Sequence, residues 1–367
     1  MGDALTQFDN WLDIGGPAAL VLREPLIPVE GRDGILFPAT FAASEDRTFR
    51  GGYNIDRFDD GTSICLIDSV GSQANRLEPL FATPPYSSLI PQLVITAGEK
   101  RISILEAGHR AGDALVRSSS LQEELRSAFK AAQQNDALPL ARIAPTSLVF
   151  GAWDSRDTQA KLPRLIASTI RAFNVKALTR SAQYVPATDY VKGGMLEEPA
   201  DEKTRKLHAE RGFAHVPSTA VPGGIIAESI RRDATLHLGA LRLLAADPAD
   251  QTMVLRRYVL GLSLVALTAS ATGYLRQGCN LVPDPDQPST LTLVGSDGAR
   301  QAANLTHSAA LAFAREAASA FGLDVDRAIS FGTAPDRQVP FDKALAARDL
   351  AGDESGERKS KKSKKAN

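Results

Sequence analysis

Residues 67–79, IDSVGSQANRLEP, set hydroxyl, amide and guanidinium groups at helical spacing. On a helical wheel Ser69, Ser72, Gln73 and Arg76 fall at i, i+3, i+4 and i+7 on one face, with Val70, Ala74 and Leu77 on another. Hydrogen-bond donors gathered near the free N–H groups of a helix N-terminus make a site for an anion. Asp68 supports a second reading, in which its carboxylate caps those N–H groups and the segment is a simple surface helix. A related pattern occurs in TQAKLPRLIASTIRAF. Read as a helix entered through its proline, this segment places Lys161, Arg164, Ser168 and Arg171 opposite Leu162, Ile166, Ile170 and Phe173. Such a basic stripe is either a solvated face or, together with the first helix, a grip on an extended polyanion.

Other chemistries lack their residues. No phosphate-binding G-x-x-x-x-G-K-S/T, dinucleotide glycine fingerprint or G-x-S-x-G elbow occurs, and the five histidines have no ligand spacing. No cofactor or metal is expected. The aromatic signature of ordinary RNA-recognition sheets is also missing, so any RNA would be held by its backbone. Asp68 beside Ser69 could act as a general base in RNA cleavage, but no second catalytic residue accompanies it.

The elements that must position these residues alternate along 367 residues, 43% of them hydrophobic. AALVLREPLIPV and GILFPATFA read as strands, and GYNIDRFDDGTSICLI as a hairpin turning at Asp59, Asp60 and Gly61. A polar helix follows at about 69–78, stopped by Pro79. QLVITAG and RISILEAG are expected as strands, then a helix opened by a capping box of Ser120 and Glu123. IAPTSLVFGAW reads as a strand before the second basic segment. The C-terminal third carries a long apolar helix to about residue 275, the strand STLTLVG and a helix near LTHSAALAFAREAASAFG. Ser263, Thr268, Ser270 and Thr272 dilute the apolar run YVLGLSLVALTASATGYL, which is expected to lie against a sheet and not in a membrane.

The order implies an α+β fold with ferredoxin-like strand–helix–strand units. Residues 1–350 form the expected single domain, with a long irregular insertion at about 180–225 of the size usually reserved for function or disorder. Residues 351–367 are an expected disordered, lysine-rich tail, either solubilising or a loose phosphate contact. Six of the 42 basic residues lie in the last ten positions, so 36 basic and 43 acidic residues leave the remainder at a net charge of −7. Any polyanion site in the body must therefore be a local patch. Cys65 and Cys279 offer no disulfide framework, and the N-terminus has no basic region followed by an apolar run, so a cytoplasmic location is expected.

Three stretches resemble a known family: LIDSVGSQANRLEP, RIAPTSLVFGAWDSRDTQAKLPRLIASTIRAF and ALTRSAQYVP. They are similar to the Cas-seven backbone subunits of type I CRISPR surveillance complexes, in the RAMP superfamily, and to the type I-U (I-G) variety in particular. The likeness spans most of residues 15–330. It implies a modified RRM-like palm with inserted thumb and finger elements, stacked head to tail in copies along a guide RNA (crRNA) whose bases stay free to pair with target DNA. On this resemblance Ser69, Ser72, Gln73, Asn75 and Arg76 hold the RNA backbone from the outer face of the first palm helix. Arg156, Lys161 and Arg164 extend the grip, and Arg180, Tyr184 and Lys192 are thumb contacts. The implied partners are the crRNA, target DNA, further copies of the chain, a Cas-five/Cas-six-like subunit and a large subunit. The expected role is non-catalytic. An endoribonuclease using Asp68 and a monomeric RNA-binding module remain the alternatives.

Overall fold

The computed structural model describes residues 4–46, 48–180, 183–217, 221–269, 273–332 and 334–351. In chain order its main elements begin with β1 (Ala19–Pro28), β2 (Ile55–Arg57), β3 (Ser63–Asp68), α1 (Val70–Leu77), β4 (Leu93–Ala97) and β5 (Lys100–Ser103). Next come α2 (Gln122–Gln133), α3 (Leu138–Ile143), α4 (Thr146–Phe150), β6 (Ile166–Phe173), β7 (Lys176–Arg180), α5 (Glu202–Glu210), β8 (Val221–Ile226) and β9 (Ser229–His237). The chain continues with α6 (Gln251–Thr268), β10 (Tyr274–Arg276), β11 (Cys279–Pro283), β12 (Thr290–Val294), β13 (Arg300–Ala302), α7 (His307–Ala320) and β14 (Arg337–Pro340).

The main sheet runs β10-β11-β1-β9-β6-β3-β2, with β12 also on β1 and β13 beyond it. Its centre reads β12–β1–β9–β6 with antiparallel neighbours throughout. Helix α1 lies in the connection from β1 to β6, and α6 in the connection from β9 to β12. This is the β-α-β-β-α-β plan of a ferredoxin-like, RRM-like α+β fold. The hairpin β2–β3 extends the sheet past β6. Alternating side chains place Leu20, Leu22, Ile166, Ala234 and Leu236 on the inner face, under α6, α7 and the helical segments between β5 and β6. A second apolar cluster around Cys65, Ile67, Ile170, Ile230 and Leu281 lies further along. Between the clusters Glu24, Arg232, Ser168 and Asp68 interrupt the apolar face, and each is tied to a partner: Arg232 Nε donates to Glu24 at 2.6 Å and Ser168 Oγ to Gln73 at 2.9 Å.

Two expected elements exchange identity. Residues 166–173 are a strand and not the C-terminal half of a helix, and residues 146–150 are a helix and not a strand. Positions i and i+4 share a face in both geometries, so Ile166 and Ile170 fit either period. The alternation of Ile166, Ser168, Ile170 and Ala172 and the β-branched content favour the strand. TSLVF is buried at all five positions, which removes any period to read. GILFPATFA yields only a bridge at Leu36 and the two-residue pair Thr40–Phe41, since Pro38 cannot donate to a ladder. The helix after Ser120 starts at Gln122 without a side-chain cap, because Ser119 Oγ accepts from Leu121 N instead. The long helix ends at Thr268. The insertion is the excursion between neighbouring strands β6 and β9. It is less irregular than expected, with a stem of β7 and β8 and a helix, α5, that has no buried residue. Residues 181–182 and 218–220 of the insertion, and the tail from residue 352, lie outside the described residues. Among the described residues no helix is long and apolar enough to cross a membrane.

The α6–α7 seam closes the core. A Cβ on Gly261 of α6 would stand 2.8 Å from Ala314 Cα of α7. Gly261→Ala gains about 1 kcal/mol of helix propensity, yet the overpacking is expected to outweigh it and lower stability by about 1–2 kcal/mol net. Urea unfolding measures this, and an unchanged or raised midpoint would contradict so close a seam.

Candidate nucleic-acid interface

Helix α1 is positioned by a buried carboxylate. Asp68, the last residue of β3, has a side chain with no solvent exposure. Its Oδ1 accepts from Ser72 Oγ at 2.7 Å, and its Oδ2 accepts from Gln73 Nε2 at 2.7 Å and Arg76 Nε at 3.0 Å. Arg276 of β10 stands 3.6 Å away. Ser69, and not Asp68, is the N-cap, accepting from Ser72 N at 3.3 Å. The stripe of Ser72, Gln73 and Arg76 therefore points inward, which corrects its expected outward direction. Gln73 is buried, and Arg76 Nη2 donates to Leu275 O at 2.8 Å. A helical wheel identifies a polar face without its direction, and a carboxylate at the strand end turns this one toward the sheet.

Inward anchoring leaves the Gly71–Asn75 edge of α1 beside a basic hollow. The hollow, about 410 Å³, is lined by Gly108–Arg110, Gly151–Trp153 and Lys161–Arg164. Arg110 Nη2 donates to Asn75 Oδ1 at 3.4 Å and its Nη1 to Gly151 O at 3.2 Å, while the guanidinium lies over the Phe150 ring. Arg110 is buried in the left-handed backbone region at φ 53°, a conformation costing roughly 1 kcal/mol or more for a side chain of this size. Arg164 donates from Nε to Phe150 O at 3.1 Å, and its Nη2 would be 3.9 Å from a Cβ on Gly71, so it hangs over the first turn of α1. Gly151 makes this possible. At φ 75° it has no side chain where a Cβ would meet Arg164 Cγ at 2.8 Å. Burial and the neighbouring Arg110 charge both push the Arg164 pKa down from its ordinary value. Among the described residues no carboxylate lies within 4.0 Å of Arg164. Arg164 thus stands near a second guanidinium, that of Arg110, which is itself paired with Glu78, beside the first turn of α1, and the local charge suits an anion.

Lys161 and Trp153 border the same hollow from opposite sides of a narrow hairpin, with Lys161 Nζ 5.8 Å from the Trp153 ring centre. Asp154 sets the turn by accepting from Thr158 N and Oγ1. Arg156 sits exposed on that turn. The second stripe of four is dispersed. Ser168 is inside, bonded to Gln73, and Arg171 emerges on the opposite sheet face across from Arg231. In the insertion Arg180 lies over the Phe37 ring, Tyr184 OH donates to Gly212 O at 3.1 Å, and Lys192 is exposed beside Asp189. None of these three borders the hollow. The structure thus brings together Lys161 and Arg164, with Asn75 reaching the hollow through Arg110, and adds Arg110, His109 and Trp153, which sequence reasoning missed. Arg110 sits in a short 3-10 turn with no periodicity to reveal it. Trp153 lay within a quoted motif, W-D-S-R, as a feature of resemblance only.

Fold and hollow together define an RRM-like α+β protein with a local cationic site on an acidic body. Residues 20–177 match the family model described as CRISPR-associated protein GSU0053. The match runs from β1 into β7 and so includes α1 and every residue lining the hollow. No curated protein matches the chain.

Glu78 supports Arg110 from below, with Oε2 2.5 Å from Arg110 Nε. The contact is ionic more than directional, since neither that Nε nor Glu78 Oε1 makes a well-formed hydrogen bond. Burial pushes the Glu78 carboxyl up to about 7, against the opposing pull of Arg110 and Thr146. The folded state therefore binds this proton more tightly than the unfolded chain. Its contribution to stability is full below about pH 4.5 and is lost as pH rises through about 7. Measured against Glu78→Gln, the stability of the unaltered protein should fall between pH 5 and pH 8 by at most about 3 kcal/mol. A pH-independent difference between the two would contradict the assignment.

Proposed function

We propose that the chain is a non-catalytic, guide-RNA-binding subunit of a type I CRISPR effector complex, in which copies line up along the crRNA spacer. The observation that carries this reading is the hollow itself, where Arg110 and Arg164 lie near each other beside the N-terminus of α1 and, among the described residues, no carboxylate pairs with Arg164. A phosphodiester relieves that repulsion and accepts from both guanidinium groups. The family match supplies the CRISPR context. One modest cationic site per copy fits an acidic body, because contacts repeated along one strand act together. Sequence reading then falls to base pairing between guide and target DNA. The other members of the complex would be a Cas-five/Cas-six-like subunit and a large subunit.

The rival reading as a nuclease needs Asp68 to reach a 2′-hydroxyl. Its buried side chain, with both oxygens accepting from α1, speaks against that role. Arg76, joined to the same carboxylate, orients the helix and does not project from it. A monomeric, sequence-specific RNA-binding module would differ in stoichiometry and in a dependence of affinity on base identity.

Arg164→Ala should weaken binding to RNA of any sequence about 3- to 10-fold at moderate salt and lower the salt slope by about 0.7, as for one lost phosphate contact. Fluorescence anisotropy over a salt series reads both quantities. Unchanged affinity, or a loss confined to certain sequences, would contradict phosphate holding by the hollow.

A further inference from the structure

Trp153 is 56% exposed, although an indole of this size gains from burial and the turn that presents it is firmly held. Asp154 N donates to Ala160 O at 2.9 Å and Leu162 N to Ala152 O at 2.8 Å, on either side of the Trp153–Lys161 bridge. Asp154 is itself buried and stands 3.8 Å from Arg117. The ring therefore projects from a rigid hairpin, and little backbone freedom is lost when something packs on it. It shares its hollow with Arg110 and Arg164, and a lysine ammonium lies at its face. An exposed aromatic ring beside convergent cations is the arrangement by which proteins hold single-stranded nucleic acid without reading its sequence. The hollow's volume of about 410 Å³ is within the roughly 300–1,000 Å³ typical of small-ligand pockets.

We infer that the hollow takes one complete nucleotide unit of single-stranded RNA, with the phosphate between Arg110 and Arg164 and the base stacked on Trp153. This rests on the reading of the hollow as an RNA site and adds a subsite that phosphate holding alone does not require. Stacking tolerates every base, so the subsite fixes the strand in place without imposing sequence, and Lys161 at the ring is displaced toward the phosphate chain when the base arrives.

The chain has two tryptophans, and Trp11 is buried in the core, so quenching of intrinsic fluorescence by RNA reports on Trp153. Full-length protein is titrated with an oligouridylate, with anisotropy of a labelled oligomer recording binding independently. The expected result is quenching that tracks binding, a roughly 10- to 100-fold loss of affinity in Trp153→Ala and near-normal affinity in Trp153→Phe. An abasic ribose-phosphate oligomer of equal length should bind the unaltered protein no better than oligouridylate binds Trp153→Ala. The phenylalanine variant guards against misfolding, since the hairpin hydrogen bonds are backbone and Asp154 contacts. Normal binding without quenching, or with unchanged affinity in Trp153→Ala, overturns the stacking subsite and leaves phosphate holding intact. Absence of binding to any RNA overturns both. A fluorescence change that follows protein concentration and ignores RNA overturns the subsite in favour of Trp153 as a contact between copies.

Discussion

The buried carboxylate of Asp68 is the constraint from which the rest of the site follows. It receives three side-chain donors from α1, Arg76 among them, and lies close to a second cation, Arg276 of β10. Gln73 passes the linkage on to Ser168 of β6, so the helix is joined to two strands through hydrogen-bonded polar groups as well as through Ala74 and Leu77. Removing one partner from such a buried charge typically costs about 3–5 kcal/mol, because the remaining charge is left without compensation. The arrangement contributes direction as much as stability. With three side chains engaged by one carboxylate, α1 has one rotational setting, and in that setting Asn75 meets Arg110 and Gly71 lies under Arg164.

The hollow is assembled from three loops that the sheet and helices bring together. Arg110 comes from a 3-10 turn, Trp153 and Lys161 from a hairpin, and Arg164 from the residues leading into β6. Each cation is held by a backbone carbonyl or an aromatic ring, and among the described residues Arg110 alone of them has a carboxylate within 4.0 Å. Charge repulsion inside the hollow and left-handed backbone at Arg110 both raise the energy of the empty site. A bound anion recovers the first of these, which is how a folded body of net negative charge can carry a local site for a polyanion.

Much of the fold was legible in the sequence. β1, β3, α1, α6 and α7 carry clear alternation, clear helical period or an unbroken apolar run, and the β2–β3 turn announces itself through Asp59, Asp60 and Gly61. The segment 142–173 was misread for two separate reasons: TSLVF has no polar side to set a period, and a strand with apolar residues at 166 and 170 imitates one turn of helix. The site was legible in part. Lys161 and Arg164 line one hollow and Asn75 meets Arg110 at its edge, by way of a strand and a hairpin in place of the expected second helix. The direction of the α1 stripe was beyond the sequence, because donors suited to phosphate are equally suited to a buried aspartate. Arg110 was invisible for a different reason, since a single arginine in a glycine-rich turn has no pattern to distinguish it from a solvated surface residue.

A row of identical hollows on one strand is the central claim, and stoichiometry tests it most directly. Full-length protein is run with guide-length RNA by size-exclusion chromatography, and the bound RNA is then footprinted with a nuclease. A high-mass assembly that grows with RNA length, with protection repeating at a fixed interval, is the predicted result. A one-to-one complex with a single footprint at every length, or RNA cut by the protein itself, would contradict it.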